Sequence, residues 1–176
     1  EYRAAAATGD EMLLLQDRNG IVLAGTLTEG PVGLAPVGAD FAAEDAFDRI
    51  GAINLRGFVM AVKHVLPVMR KQKSGVILSI SSVAALSASY KTVVYKTTKA
   101  GMIAFTEQVA RQNAEHNIRA NVILPGLMDT PMAVDTRARV WGRTREDVAA
   151  ERNAKVPLGK KMGSAWDVAH ACLFLA

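Results

Sequence analysis

Two short, mainly apolar runs separated by a longer amphipathic stretch occupy the middle of the chain. The run from Gly75 to Ser82 ends in hydroxyl side chains, and the run from Arg119 to Gly126 is stopped by a proline and a glycine. Short apolar runs bounded by turn residues are typical of buried strands. Between them, the segment from Val93 to Asn117 has the length and apolar spacing of a helix. The order strand, helix, strand predicts the repeating unit of a parallel sheet.

The outer parts of the chain carry weaker patterns of the same kind. They predict the end of a helix at Arg3 to Ala7 and a strand at Met12 to Gln16. They also predict three helical segments, at Asp45 to Lys73, Thr144 to Lys155 and Val168 to Leu175. In the second of these helical segments, Thr144 is the expected cap, followed by acidic side chains in the first turn. With 176 residues, of which half are apolar, the chain can bury a substantial core. We therefore expect a single α/β domain spanning residues 1–176.

One pair of polar residues on the central helix indicates chemistry. Tyr95 is followed four positions later by Lys99, and residues at this spacing lie on one face of a helix. A phenol is a poor base at neutral pH, but a nearby cation favours the phenolate and lowers the phenol pKa. The pair can therefore act as a proton-transfer device. Taken alone, it is also compatible with a solvated lysine beside a half-buried tyrosine.

Together with its neighbours, this pair makes the chain resemble the short-chain dehydrogenase/reductase family. The matching motifs follow the family's order and spacing over nearly the whole chain: Ile53-Asn54-Leu55-Arg56-Gly57, Ile80-Ser81-Ser82, Tyr95 with Lys99, Pro125-Gly126-Leu127-Met128-Asp129-Thr130-Pro131, and Gly163-Ser164-Ala165-Trp166-Asp167-Val168-Ala169. The resemblance implies a Rossmann-type doubly wound parallel sheet. It also implies an NAD(P)-dependent oxidoreductase that interconverts an alcohol and a ketone or aldehyde.

The resemblance assigns a catalytic role to four residues. Tyr95 would be the general acid/base that exchanges a proton with the substrate oxygen, and Lys99 would lower the pKa of that phenol. Ser82 would hydrogen-bond the same substrate oxygen, since a hydroxyl can both donate and accept. Asn54 would hold a water near Lys99 and extend a proton relay. Ser82 could instead simply end a strand, and Asn54 could only bond a nearby carbonyl.

The resemblance further implies NAD or NADP as the cofactor. The implied cofactor-binding positions are Asp17, Asn19, Tyr95, Lys99, Gly126, Met128 and Thr130. Lys99 would hold the ribose hydroxyls, and Thr130 matches the position that contacts the nicotinamide carboxamide. Met128 stands where the family usually has valine or isoleucine. Asp17 resembles an aspartate near the adenine, and Asn19 with Gly20 could be what remains of an Asn-Asn-x-Gly turn.

Several parts of the family pattern are absent from the chain. No glycine-rich G-x-x-x-G-x-G turn and no residue separating NAD from NADP is present, so we expect the sheet to be incomplete at both ends. After Met12 to Gln16 the family continues into a helix and a further strand, but here Asp17 to Gly20 follows at once. A parallel sheet lacking a central strand would leave backbone groups unpaired. We therefore expect missing residues here, visible as a Cα spacing beyond the ~3.8 Å of a trans peptide.

Composition favours a soluble, cytoplasmic enzyme. The chain begins with polar residues, so no signal peptide is visible, and it has no apolar run long enough to cross a bilayer. Its single cysteine, Cys172, excludes an intrachain disulfide and is expected in the core. His64, His116 and His170 lack the spacing of metal ligands, so we expect no metal site.

The net charge of +4 does not indicate a nucleic-acid partner. The basic residues are dispersed, with short clusters at Arg70 to Lys73, Arg137 to Arg145 and Lys160-Lys161. A nucleic-acid-binding module would need a clustered positive face. We expect no nucleic-acid and no membrane partner, and a small carbonyl or alcohol as substrate.

The region from Met132 to Met162 stands where the family has its substrate lid. Its arginines at positions 137, 139 and 143 could recognise an anionic substrate group, although a solvated lid face is the more ordinary explanation. Trp141 and Met132 are candidates for an apolar pocket wall.

Two helical segments carry more apolar and small residues than one buried face requires. The residues in question are Ala61, Val65 and Met69 on the first and Met102, Phe105, Val109 and Ala110 on the second. A two-fold contact would bury them, so we expect a homodimer or homotetramer; alternatively, a segment absent from this chain covers them. A non-catalytic binding or scaffold protein with the same fold is the alternative to an enzyme.

Overall fold

The computed structural model describes residues 3–5, 12–16, 21–26, 44–88 and 93–176, with side chains described from residue 47 onwards. Five strands form the main sheet in the order β1-β2-β3-β4-β5. They are β1 (Arg3–Ala5), β2 (Met12–Gln16), β3 (Ile21–Thr26), β4 (Gly75–Ile80) and β5 (Ile118–Ile123). A two-stranded sheet pairs β6 (Met128–Asp129) with β7 (Gly163–Ser164) in parallel.

In the part of the chain that the structure describes, six α-helices accompany the strands: α1 (Glu44–Ile50), α2 (Gly57–Gln72), α3 (Val93–Asn113), α4 (Thr136–Trp141), α5 (Arg145–Ala154) and α6 (Ala165–Leu175). Two π-helical segments precede α2 and α4, at Gly51–Arg56 and Pro131–Asp135. Short 3₁₀ turns follow β4 and α3, at Val83–Ala85 and Ala114–His116. The predicted central helix, its flanking strands and the helices near the carboxyl end are confirmed.

The parallel part of the sheet is formed by β3, β4 and β5. In the register, Ile21 pairs with Val76 and Gly75 pairs with Ile118. The strand expected to be missing beside β4 is therefore present as β3, and that expectation is wrong. Strand β3 begins directly after the Asp17 to Gly20 segment. That segment lies outside the described residues, so the expected break in Cα spacing stays a prediction.

The first two strands run antiparallel to their neighbours. Arg3 pairs with Gln16 in β1–β2, and Met12 pairs with Thr26 in β2–β3. The helix end predicted at Arg3 to Ala7 is therefore wrong over Arg3–Ala5. Alanine has a high helix propensity, but backbone hydrogen bonds to a neighbouring strand outweigh such a weak local preference.

Helices cover both faces of the parallel strands. Ile77 of β4 packs with Phe58, Val62 and Met69 of α2 and with Met102 and Val109 of α3. Its neighbours Val76 and Leu78 point to the opposite face and pack with Cys172 of α6, because side chains alternate along a strand. The doubly wound architecture is confirmed, as is the packing role of Cys172.

The residues that suggested a second apolar face belong to the core of this chain. Ala61, Met69, Met102 and Val109 are only 2–5% exposed, and Phe105 packs edge-to-face against Phe58. The prediction of a surplus face is wrong for Ala61, Met69, Met102 and Val109, which are buried. Val65 and Phe105 pack against the same core, and Ala110 is half-buried.

One helical stretch, Phe47–Gln72, is long and apolar enough to cross a membrane by length and composition alone. Core helices of soluble proteins meet the same criterion, and Phe58, Val62 and Met69 of this stretch lie in the core. The stretch is therefore weak evidence for a membrane span.

Candidate active site

The carboxyl end of β4 holds the first candidate residue. Ser82 follows β4 and caps the 3₁₀ turn, its Oγ accepting a hydrogen bond from the backbone N–H of Ala84 at 3.1 Å. On either side, Ser81 N–H donates to Ile123 O at 2.8 Å and Val83 N–H donates to Pro125 O at 3.1 Å. These bonds continue the pairing beyond both strands, so the backbone around Ser82 is fixed.

Ser81 joins this strand end to helix α3. Its buried hydroxyl donates to the backbone carbonyl of Lys99 at 2.8 Å. Sequence reasoning considered Ser81 only as the end of a strand and missed this role. The available signal was a second hydroxyl beside Ser82 at the expected site.

Lys99 reaches back to the same strand end. Its Nζ donates to Ile80 O at 2.9 Å, lies 3.7 Å from Met102 Sδ and stands 5.7 Å from the centroid of the Tyr95 ring. The predicted closeness of Lys99 to Tyr95 is confirmed, because the two residues share a helix face. Burial lowers the pKa of Lys99 to about 8, since desolvation disfavours the ammonium. The closeness of the Ser82 and Tyr95 hydroxyls stays a prediction.

Asn54 lies in the π-helical segment rather than in a regular α-helix. The turn is closed by the Gly57 N–H donating to Ala52 O, and such π turns occur frequently at functional sites. The buried Asn54 amide donates from Nδ2 to Thr98 Oγ1 at 3.2 Å, and Thr98 Oγ1 donates to Tyr95 O at 2.9 Å. The structure thus connects Asn54 to α3 through Thr98, a residue that sequence reasoning did not single out.

Close packing lets α3 approach the π-helical segment. A Cβ on Gly101 would lie 3.3 Å from both terminal carbons of Leu55, tighter than ordinary van der Waals contact. Glycine in a helix interior costs about 1 kcal/mol relative to alanine. Here it provides the space that brings Asn54 within reach of Thr98.

The loop after β5 contains three of the predicted cofactor-binding residues. Gly126 is exposed, with open space where a Cβ would stand, and Met128 lies in β6 opposite Gly163. Thr130 caps the second π-helical segment by accepting from Ala133 N–H at 3.2 Å. That capping role was not foreseen, and the nicotinamide contact of Thr130 stays a prediction.

Two predicted cofactor-binding residues, Asp17 and Asn19, lie outside the described residues. Their assignment stays a prediction. The described strand that follows them, β3, begins at Ile21, paired with Val76 at the amino end of β4. Ser82 follows the carboxyl end of β4, which is the opposite end of the same parallel strands.

The predicted lid carries ion pairs on its surface. Arg145, which begins α5, bonds Asp129 at 2.6 Å and Asp135 at 2.8 Å, and the Asp129 charge is the main cause of its raised pKa. Arg143 bonds Glu151 at 2.6 Å. The hydrogen bond from Arg143, and after it the hydrogen bond from Lys155, lower the pKa of Glu151 to about 2. Arg143 is therefore already paired within the protein.

Other predicted features of the lid have mixed outcomes. Thr144 caps α5 by accepting from Asp147 N–H at 3.1 Å, as expected. Arg137 donates to Ala133 O at 2.8 Å. Trp141 and Met132 are 46% and 47% exposed, so their predicted place in an apolar pocket wall has no support from burial.

The chain is similar in sequence to known oxidoreductases. A family model described as enoyl-(acyl carrier protein) reductase matches residues 32–176. The 2-(R)-hydroxypropyl-CoM dehydrogenase of Xanthobacter autotrophicus is 36% identical over 132 residues, which are 75% of this chain and 50% of that protein. A 3-oxoacyl-(acyl-carrier-protein) reductase of Thermotoga maritima is 33% identical over 133 residues, 76% of this chain and 50% of that protein.

Solved structures share the fold. Levodione reductase matches with a TM-score of 0.71 and 30% identity, over 80% of this chain and 54% of its own. NAD⁺-bound xylitol dehydrogenase matches with a TM-score of 0.68 and 29% identity, over 80% of this chain and 56% of its own. The chain spans about half the length of the curated relatives it matches. It belongs to the short-chain dehydrogenase/reductase family of oxidoreductases.

Proposed function

We propose that the full-length protein is an NAD- or NADP-dependent oxidoreductase that interconverts an alcohol and a ketone or aldehyde. The observation that carries this proposal is the buried ammonium of Lys99 over the Tyr95 ring at the carboxyl end of β4. Burying a lysine is costly, and a position beside the Tyr95 ring gives the ammonium a catalytic use that a purely structural contact to Ile80 O does not require. The catalytic function therefore explains the site better than the scaffold alternative.

The residues at this site fit a nicotinamide cofactor. The Lys99 ammonium has three donors, of which one bonds Ile80 O and another reaches only the weak acceptor Met102 Sδ. Donor capacity remains for ribose hydroxyls, and the open space at Gly126 leaves the backbone of that loop accessible. Met128 and Thr130 would hold the nicotinamide end. When bound, the cofactor supplies the hydride transfer.

Tyr95 and Ser82 would handle the substrate oxygen. In the reducing direction the Tyr95 phenol gives its proton to that oxygen, and in the oxidising direction the phenolate takes it back. The Ser82 Oγ already accepts from Ala84 N–H, so its own proton is available for the developing alkoxide. Lys99 favours the phenolate form of Tyr95, and Asn54 would hold a water that connects Lys99 to solvent.

The substrate is proposed only as a small carbonyl or alcohol. The relatives named above act on a hydroxypropyl-CoM and a 3-oxoacyl group, and both present a secondary alcohol or a ketone. We propose a soluble, cytoplasmic protein without nucleic-acid or membrane partners. We also propose a homodimer or homotetramer, because the segments of α2 and α3 resemble the two helices that pack against their symmetry mates in the family. Light scattering after size exclusion tests this, and a monomer at micromolar concentration would refute it.

The test is an activity scan of the full-length protein with NADH and NADPH against a panel of ketones and aldehydes. Tyr95→Phe should lower turnover by about 10²- to 10⁴-fold, because it removes the proton donor. It should leave thermal unfolding unchanged, since the ring under Lys99 is kept. Tyr90→Phe, which also removes one phenol hydroxyl, is the control and should retain activity. Full turnover in Tyr95→Phe contradicts the proposal, and a folded protein inactive across the panel favours the scaffold alternative.

A further inference from the structure

Lys99 is held at both ends by the carboxyl end of β4. The Ser81 hydroxyl donates to the backbone oxygen of Lys99 at 2.8 Å, and the Lys99 ammonium donates to the backbone oxygen of Ile80 at 2.9 Å. Ser81 and Lys99 are 4% and 6% exposed. Water therefore has little access to replace either bond, and losing one of them leaves a buried polar group without that partner.

The strand end that makes these two bonds is itself fixed. Ser81 N–H donates to Ile123 O at 2.8 Å, which continues the pairing beyond both strands. Ile80, Ser81 and Ser82 follow one another along the chain and have three separate contacts. Ile80 accepts from the ammonium, Ser81 bonds the backbone of α3, and Ser82 is the proposed contact to the substrate oxygen. The place of the ammonium relative to Ser82 therefore depends on how α3 is joined to Ser81.

We propose that Ser81 is a positioning residue that fixes the turn of α3 carrying Lys99 and thereby places the ammonium beside the Tyr95 ring and within reach of the cofactor ribose. The inference rests on the proposed function, since it assigns Ser81 a role in that same site. Lysine carries its charge on a flexible four-carbon stem, so the bond to Ile80 O alone leaves the backbone of that turn free to shift. Tyr95 lies one turn before Lys99 on the same face, so such a shift moves both residues relative to β4.

Strand β4 offers a matched control for the loss of a buried serine hydroxyl. Ser79 lies two residues before Ser81, so both side chains point to the same face of the strand. Ser79 is fully buried, and its hydroxyl lies 2.7 Å from Thr106 Oγ1 on α3. It therefore also joins β4 to α3, but about two helical turns beyond Lys99. Neither Ser79 nor Thr106 has a part in the proposed chemistry.

The first experiment compares Ser81→Ala, Ser81→Thr and Ser79→Ala in the full-length protein, by thermal unfolding and by steady-state kinetics with the best carbonyl substrate of the activity scan. Ser81→Ala should lower kcat about fivefold and leave the KM for the carbonyl nearly unchanged, because misplaced catalytic groups slow chemistry rather than substrate binding. Ser81→Thr, which restores the hydroxyl, should recover most of kcat. Ser79→Ala should lower the unfolding temperature about as much as Ser81→Ala and leave kcat unchanged. Equal kcat values in the two alanine variants would overturn the inference.

Cofactor binding gives a readout that does not depend on turnover. Fluorescence titration with NADH or NADPH, whichever the scan selects, measures the dissociation constant directly. Ser81→Ala should weaken binding about three- to fivefold, because the ammonium proposed to hold the ribose is displaced, whereas Ser79→Ala should bind as wild type does. Wild-type affinity in Ser81→Ala contradicts the inference.

A double-mutant cycle tests whether Ser81 acts through Lys99. In a Lys99→Met background, Ser81→Ala should weaken cofactor binding no further, because the ammonium that it positions is gone. A second loss of the same size in that background would show that Ser81 acts by another route. Turnover that survives Tyr95→Phe would instead contradict the proposed function, whereas equal behaviour of the two alanine variants refutes only the role of Ser81. The two failures are therefore distinguishable.

Discussion

The carboxyl end of β4 and the lid hold their polar groups in opposite ways. At β4, the Ser81 hydroxyl, the Asn54 amide and the Lys99 ammonium are buried, and each is held by a hydrogen bond to α3 or to the strand itself. In the predicted lid, Met132 to Met162, Arg145 and Glu151 lie at the surface and form ion pairs. Both regions are rich in polar contacts, but only the first excludes water from them.

This difference indicates that the β4 end is held more rigidly than the surface of the predicted lid. A buried hydrogen bond is costly to break, because its partners are left without water, so the β4 end keeps Tyr95 and Lys99 in fixed positions. Exposed ion pairs contribute little and are screened by salt, so these ion pairs alone hold the predicted lid weakly. The proposed chemistry, which needs fixed geometry, would therefore lie on β4 and α3, where the polar contacts are buried, whereas the surface of the predicted lid is held by weaker contacts.

The largest effect expected from this contrast concerns Lys99. Burial lowers its pKa to about 8 from the usual lysine value of 10.5, so between these values the unfolded chain binds more protons than the folded one. Stability should therefore rise with pH across this window, by about 3 kcal/mol for a shift of this size. Lys99→Met, which carries no titrating group, should lack this rise.

Urea unfolding from pH 7 to 10.5 measures the difference between wild type and Lys99→Met. Lys96→Met removes a lysine from the same helix, where its Nζ bonds Ser87 O, and it should behave as wild type does. Parallel stability curves for wild type and Lys99→Met would show that the ammonium is well solvated. Lys99 would then not differ in solvation from the exposed charged residues of the predicted lid, and the contrast between the two regions would not hold for it.

Local patterns were sufficient to predict much of the fold and the core of the site. The i to i+4 spacing of Tyr95 and Lys99 is set by helix geometry, so it places the ammonium beside the ring without knowledge of other elements. Apolar runs followed by turn-forming residues likewise predicted β4 and β5, which end two residues before Ser82 and Pro125. These are features in which a few neighbouring residues determine the outcome.

What could not be predicted depends on contacts between distant segments. Asn54 and Thr98 are 44 positions apart, and their bond requires a π turn that no residue pattern specifies. Ser81 reaches the carbonyl of Lys99 only because β4 and α3 pack together. The strand Arg3–Ala5 forms against the local preference of its alanines, since pairing with β2 decides its conformation.

The smallest expected effect lies in the lid and concerns Arg145. Arg145 joins Asp129 of β6 to Asp135 of the π-helical segment, so Arg145→Ala should loosen the start of the lid without affecting the core. We expect about two- to fivefold faster limited proteolysis within residues 131–155, because exposed pairs are individually weak.

Arg143→Ala is the matched control: its partner Glu151 lies on the adjacent helix α5, so cleavage should remain near the wild-type rate. Raising the salt to about 1 M should screen both pairs of Arg145 and bring wild type towards Arg145→Ala. If salt and Arg145→Ala both leave cleavage unchanged, buried packing around Val134 and Val148 holds the lid instead, and the two regions differ less than their surfaces suggest.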